Sequence, residues 1–214
     1  MIHTARSLAL ATTLLMAATP STGGGTAIPG AFAQQGSVVV REGTSMSVTI
    51  APDGRTLAID LQGSIWTLPA AGGEAKQVTD PFNDAREPAW SPDGQWIAFQ
   101  GYRDGGYDIW AVAPDGSRQV QFTWGPFDDR EPAWSHDGSR VAFSSDRGPS
   151  VSAGNAGAGA GNYNVWVLDR RSGELKRVTT SPSDDFMPTW SPDDRELAFI
   201  STRGGGQAVW AITL

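Results

Sequence analysis

Carboxylates recur at fixed distances from a tryptophan. Asp84, Asp128 and Asp184 each stand six residues before Trp90, Trp134 and Trp190, and Asp129 and Asp185 stand five before the last two. Arg86-Glu87 and Arg130-Glu131 follow in two copies, where the third has Phe186-Met187. Carboxylate oxygens gathered in one place suit a hard cation, or the ammonium and guanidinium groups of a basic peptide. Read locally, the same aspartates cap their own loops by accepting backbone N–H groups, and each Arg-Glu neighbour is a solvated ion pair. The spacing is compatible with both readings.

Other chemistry is scarce. The sequence has no cysteine and two histidines. That excludes disulfides, thiolate metal sites and cysteine nucleophiles. His3 falls in the leader described below; His136 stands in a turn where the other copies carry Pro, so it reads as a turn substitution. No Gly-x-Ser-x-Gly elbow offers it a serine, and one histidine does not make a zinc site. No catalytic residue, metal ligand or cofactor-binding residue is assigned. A net charge of -7 disfavours nucleic-acid phosphates as a ligand.

The elements that must position these residues are copies of one unit. Pro88-Ala89-Trp90-Ser91-Pro92-Asp93-Gly94 returns at 132–138 and 188–194, and a worn copy stands at 49–54. The turn aspartates Asp53, Asp93, Asp137 and Asp193 are 40, 44 and 56 residues apart. A second tryptophan falls at Trp66, Trp110, Trp166 and Trp210, each after Ile or Val. Thr79, Thr123 and Thr179 lie thirteen residues beyond the first three of these. Seven of nine tryptophans thus hold repeat positions, which marks them as core, and the turn aspartates as structural.

Each unit parses into four short strands. The first is the Pro-x-Trp segment, closed by Ser-Pro-Asp-Gly, where Pro presets φ and Gly accepts a positive one. An alternating Ile-Ala-Phe strand follows, then the Ile-Trp strand, then a fourth over Ala75–Thr79, Gln119–Thr123 and Leu175–Thr179. Four antiparallel strands in about 40–45 residues make a propeller blade, and a blade needs neighbours to cover its faces. Phe99, Phe143 and Phe199 are expected between blades. The fold class is therefore all-β: about four blades, an incomplete ring whose last blade lacks its outer strand unless residues 37–41 supply it.

The remaining organisation is compositional. Arg6, the apolar run from Leu8 to Ala18 and Ala31-Phe32-Ala33 predict a signal peptide over 1–33 and a periplasmic or secreted product. No later apolar run predicts membrane insertion after cleavage. Residues 34–46 form a segment ahead of the blades at 47–214, and the Gly/Ala/Ser-rich stretch 148–161 is expected to be a flexible insert.

Pro-x-Trp-Ser-Pro-Asp-Gly, then Ile-Ala-Phe, Ile-Trp and Val-Thr, resembles the TolB-type propeller repeat over residues 47–214. Such repeats also occur in propellers attached to prolyl oligopeptidases, tricorn-like proteases and secreted amidohydrolases. Glu42–Val48 with Asp60–Pro69 is most similar to the amidohydrolase-linked version. The resemblance implies a non-catalytic module that binds a protein or peptide or gates a substrate, at the front of a larger hydrolase whose catalytic domain would lie beyond Leu214. It also implies two alternatives: an amidohydrolase or peptidase lacking that domain, and an envelope scaffold. TolB itself carries a domain ahead of its propeller, for which residues 34–46 leave no room. In the propeller arrangement Asp84, Glu87, Asp128, Asp129, Glu131, Asp184 and Asp185 are expected around one mouth of the central channel.

Overall fold

The computed structural model describes residues 46–80, 84–103, 105–148 and 162–214. The expected leader, the Ser37–Arg41 strand and all of the 148–161 insert except Gly148 lie outside those residues. The described chain runs as four antiparallel meanders. The first is β1 (Val48–Ile50), β2 (Thr56–Leu61), β3 (Ser64–Pro69) and β4 (Lys76–Gln77). The second is β5 (Arg86–Trp90), β6 (Ile97–Arg103), β7 (Gly106–Val112) and β8 (Gln119–Gln121). The third is β9 (Asp129–Trp134), β10 (Arg140–Ser145), β11 (Asn164–Asp169) and β12 (Leu175–Arg177). The fourth has β13 (Asp185–Trp190), β14 (Glu196–Ser201) and β15 (Ala208–Thr213), and no outer strand among the described residues.

The first strands β1, β5, β9 and β13 lie side by side in that order, so the sheets fan out from a common axis. The molecule is an incomplete all-β propeller. Register is set by the alternating apolar positions: Ile59 pairs with Trp66, Phe99 with Trp110, Phe143 with Trp166 and Phe199 with Trp210.

Three hydrophobic seams hold the blades together. Ala58, Ile65 and Val78 meet Ile97, Phe99, Trp110 and Val112; Ala98 and Ile109 meet Trp134, Val141, Phe143 and Leu168; Ala142, Val165 and Val167 meet Trp190, Leu197 and Phe199. Each seam sets a small-residue face against a bulky one, so the phenylalanines are enclosed on both sides. The indole N–H of Trp134 donates to the Ala89 carbonyl and that of Trp190 to Ala133, both at 3.0 Å, tying each blade to the one before it. Trp110, Trp134 and Trp190 are buried, and Trp66, Trp90 and Trp166 are half-buried. Trp210 is exposed, and Val209 is 78% exposed where its counterparts Ile65, Ile109 and Val165 are at 0%. No further blade covers that side of the fourth sheet among the described residues.

Local chemistry defines the strand ends. In the Ser-Pro-Asp-Gly turn the Asp93 carboxylate accepts from the Ser91 hydroxyl at 2.5 Å and the Gln95 N–H at 3.0 Å, and Gly94 takes φ 67°. Asp53 accepts the Arg55 N–H, and Asp137 and Asp193 accept from Ser135 and Ser191. The Ser135 hydroxyl and the Ser139 N–H pull Asp137 down to about 2. The fourth strands are shorter than expected because a threonine side chain replaces their last ladder bond. The hydroxyls of Thr79, Thr123 and Thr179 accept the N–H of Ile65, Ile109 and Val165 at 2.8, 2.9 and 3.0 Å.

Candidate functional site

The first strand of each of the last three blades is bulged at one repeat position. The ladder shifts between Arg86 and Ala89, between Phe186 and Thr189, and between Ala142 and Ser144 where β10 meets β9. The bulged residues Glu87, Glu131 and Met187 take φ 53°, 58° and 53°. A positive φ in a non-glycine residue costs about 1 kcal/mol or more and persists only where surroundings enforce it. Here the enforcement comes from the preceding blade. Asp60 accepts the Glu87 N–H at 2.8 Å, and the Gln100 side-chain oxygen Oε1 accepts the Glu131 N–H at 3.1 Å. At the same place in the third blade Ser144 is too short, and the Glu131 carboxylate accepts both the Met187 N–H and the Ser144 hydroxyl, at 2.6 and 2.7 Å.

These bulges surround a cavity of about 220 Å³ on the propeller axis, lined by Ser47, Glu87, Glu131, Met187 and the three prolines Pro88, Pro132 and Pro188. Asp60 reaches its wall by accepting the Ser47 N–H at 2.8 Å. Glu131 is committed to the bonds above, whereas the Glu87 carboxylate makes no hydrogen bond or ion pair among the described residues. Burial, then the charges of Glu131 and Asp60, push Glu87 upward. A cation in the cavity would relieve that repulsion. No three His, Cys, Asp or Glu side chains among the described residues stand close enough together to hold a metal ion.

The other expected mouth residues divide into two sets. Asp84, Asp128 and Asp184 form a staircase across neighbouring blades. Asp128 accepts the Tyr107 N–H at 3.0 Å and Asp184 the Tyr163 N–H at 2.9 Å, while the Tyr107 and Tyr163 hydroxyls donate back to Asp84 and Asp128 at 2.7 and 3.3 Å. Arg86 pairs with Asp84, and Arg130 pairs with Asp128 while lying over both tyrosine rings. Burial opposes ionisation of Asp128, but the Tyr107 N–H and Arg130 outweigh it and hold its carboxyl below the usual range. Each of these carboxylates has partners, so they connect blades more than they line an opening.

Asp129 and Asp185 are not at the mouth. Both are at 0% exposure. The ladder pairs Ser145 with Asp129 and Ser201 with Asp185, which places the arginine two residues further along, Arg147 or Arg203, on the carboxylate. Arg147 pairs with Asp129 through two nitrogens, and Arg203 meets both Asp185 oxygens at 2.9 and 2.8 Å. A buried carboxylate with its own guanidinium is a structural tie. In the second blade Ala85 stands in the equivalent place.

Sequence reasoning missed two features. Asp60 and Gln100 set the bulges, and their signal was a polar residue in an otherwise apolar alternation. Asp194 stands where the other turns have Gly, with φ 57°, and accepts the N–H groups of His136 and Asp137 at 2.8 and 2.9 Å. His136 is therefore part of a clamp between the third and fourth blades. Replacing Pro with His freed a donor, and replacing Gly with Asp supplied the acceptor.

Tandem antiparallel blades set side by side around a common axis define the class, a TolB-like propeller repeat protein. The sequence family described as the Tricorn protease N-terminal beta propeller domain matches residues 44–158, more than half of the chain, and the chain belongs to that family. It is 30% identical over 154 residues to the uncharacterized peptidase YuxL of Bacillus subtilis (strain 168), a match covering 69% of this chain and 20% of that protein. The chain thus spans about a fifth of that relative's length. Among solved structures, TolB from Agrobacterium tumefaciens superposes with a TM-score of 0.69 at 22% identity, covering 82% of this chain and 60% of that one. A puromycin hydrolase gives 0.58 at 16%, covering 78% and 26%. At these identities the superpositions speak to the fold alone.

Proposed function

We propose that this chain is the non-catalytic propeller of an exported peptidase-class hydrolase, and that its axial cavity binds or gates peptides through a cationic group. The observation that carries the reading is the Glu87 carboxylate, unpaired among the described residues, charge-crowded, and facing a proline-walled cavity at a bulge repeated in three blades. Lysine, arginine or a peptide N-terminus supplies the cation, and the proline rings and Met187 supply an apolar wall for a side chain. Peptidase is favoured over amidohydrolase because the matching family and the YuxL relative are both described as proteases or peptidases. The reading frame after codon 214 tests this part: a Gly-x-Ser-x-Gly elbow supports it, and paired His-x-His ligands favour the amidohydrolase. An envelope location rests on the predicted leader and the likeness to TolB, and fractionation of the producing cell tests it.

Binding is tested by titrating the chain with a short lysine-containing peptide and its acetyl-lysine counterpart. Affinity is expected to fall at least tenfold on acetylation and again with Glu87→Gln, and to weaken with salt. Glu87→Gln is the clean variant, because Glu131 also holds Met187 and Ser144. Equal affinity for both peptides sinks the cavity reading. Peptide or amide turnover abolished by a point substitution sinks the non-catalytic one.

A further inference from the structure

One repeat position gives the axial cavity four different side chains. Ser47, Glu87, Glu131 and Met187 each stand three residues before the end of a first strand, at Ile50, Trp90, Trp134 and Trp190. All four line the cavity, together with the prolines that follow the last three. From the first blade to the fourth, the position therefore reads hydroxyl, carboxylate, carboxylate, thioether.

The three polar side chains keep acceptor oxygens to spare. Asp60 accepts the backbone N–H of Ser47 on one oxygen and that of Glu87 on the other, both at 2.8 Å. The two backbones are pinned to each other while their side chains stay out of the tie. The Ser47 hydroxyl and both Glu87 oxygens have no hydrogen-bond partner among the described residues. Glu131 spends Oε2 on the Met187 N–H and the Ser144 hydroxyl, and its Oε1 has no partner among those residues. Three acceptors thus line one space from three successive blades, whose first strands lie side by side around the axis.

That set suits a primary ammonium group. An ammonium spreads three donors from one nitrogen and turns freely about a single bond, whereas a guanidinium carries five in a rigid planar fork that favours one coplanar pair of oxygens. Met187, on the fourth blade, and the proline rings supply an apolar wall along which methylene groups pack. Resting on the cationic-ligand reading above, we propose that the cavity is a lysine subsite: Ser47, Glu87 and Glu131 accept the ammonium N–H groups, and Met187 packs against the methylene stem. Glu131 keeps its bonds to Met187 and Ser144 through Oε2, so the ligand displaces no existing contact. Ser47 then becomes a specificity residue, which the acidic spacing in the sequence does not mark.

The test is calorimetric titration of the full chain with acetylated, amidated peptides that differ at one central residue: lysine, arginine, trimethyl-lysine or acetyl-lysine. Trimethyl-lysine keeps the charge and the stem but has no N–H to donate. The lysine peptide is expected to bind about tenfold tighter than the arginine and trimethyl-lysine peptides. Ser47→Ala keeps the N–H that Asp60 holds, and is expected to weaken the lysine peptide about three- to fivefold while leaving the arginine peptide level. The peptide series needs no variant, so it decides even if Ser47→Ala folds poorly. Arginine or trimethyl-lysine bound as tightly as lysine overturns the subsite and leaves the cationic reading standing, whereas a lysine peptide no tighter than its acetyl form overturns both. A lysine-free peptide with a free N-terminus that binds as well as the lysine peptide overturns the assignment to the side chain.

Discussion

One repeat position reports on the open side of the propeller. Ile65, Ile109, Val165 and Val209 hold one repeat position, each next to the tryptophan of its third strand. The first three are fully enclosed by the next blade, whereas Val209 is 78% exposed. Truncating an enclosed isoleucine to alanine removes three carbons, one more than valine loses, and leaves a cavity in packed surroundings. The expected cost is about 3 kcal/mol for Ile65→Ala and Ile109→Ala, and about 2 kcal/mol for Val165→Ala. Val209→Ala removes little contact and is expected to stay within about 0.5 kcal/mol. Urea unfolding followed by tryptophan fluorescence measures all four, provided each transition is a single cooperative step. Were Val209→Ala to cost as much as Val165→Ala, something in solution would cover the fourth blade, and the open-arc account would be wrong.

Two further outcomes follow from the polar ties. Asp129→Ala leaves Arg147 charged and buried without its partner, so a loss of about 3–5 kcal/mol is expected, far above the effect of breaking the exposed Arg195–Asp193 pair; chemical denaturation of both variants checks the contrast. For Asp108→Asn the sign depends on pH. A carboxyl raised to about 7 in the folded chain against about 3.9 in the unfolded one costs the fold stability as pH climbs from about 4 to 7, by as much as ~4 kcal/mol at the top. Asn escapes that cost but gives up an acceptor for Gln121, about 1 kcal/mol. The variant is therefore expected to be slightly less stable than the unaltered chain near pH 4.5 and more stable by roughly 1–3 kcal/mol at pH 8, a crossing that melting curves at both values would reveal.

Much of the candidate site was hidden from sequence reasoning, and the reason lies in ladder register. Asp128 and Asp129 are neighbours with the same spacing rule to Trp134, so they read as one acidic pair. Asp129 opens β9, where the ladder to Ser145 brings Arg147 onto it, whereas Asp128 stands just ahead of the strand and accepts the Tyr107 N–H of the preceding blade. The bulge that turns Glu87, Glu131 and Met187 toward the axis leaves no mark in composition. Its cause is a bond from the previous blade, about 27 to 56 residues away in the chain.

Sequence alone determined the kind of unit and its punctuation. Tryptophan, phenylalanine, threonine and Asp-Gly at recurring distances impose strand alternation and turns, which are local properties of the chain. Tertiary structure decided which carboxylates are spent on ion pairs, which on linking blades, and which one is left facing the cavity. Those outcomes depend on the desolvation and partners that neighbouring blades impose, and both arise only when the blades are packed around their axis.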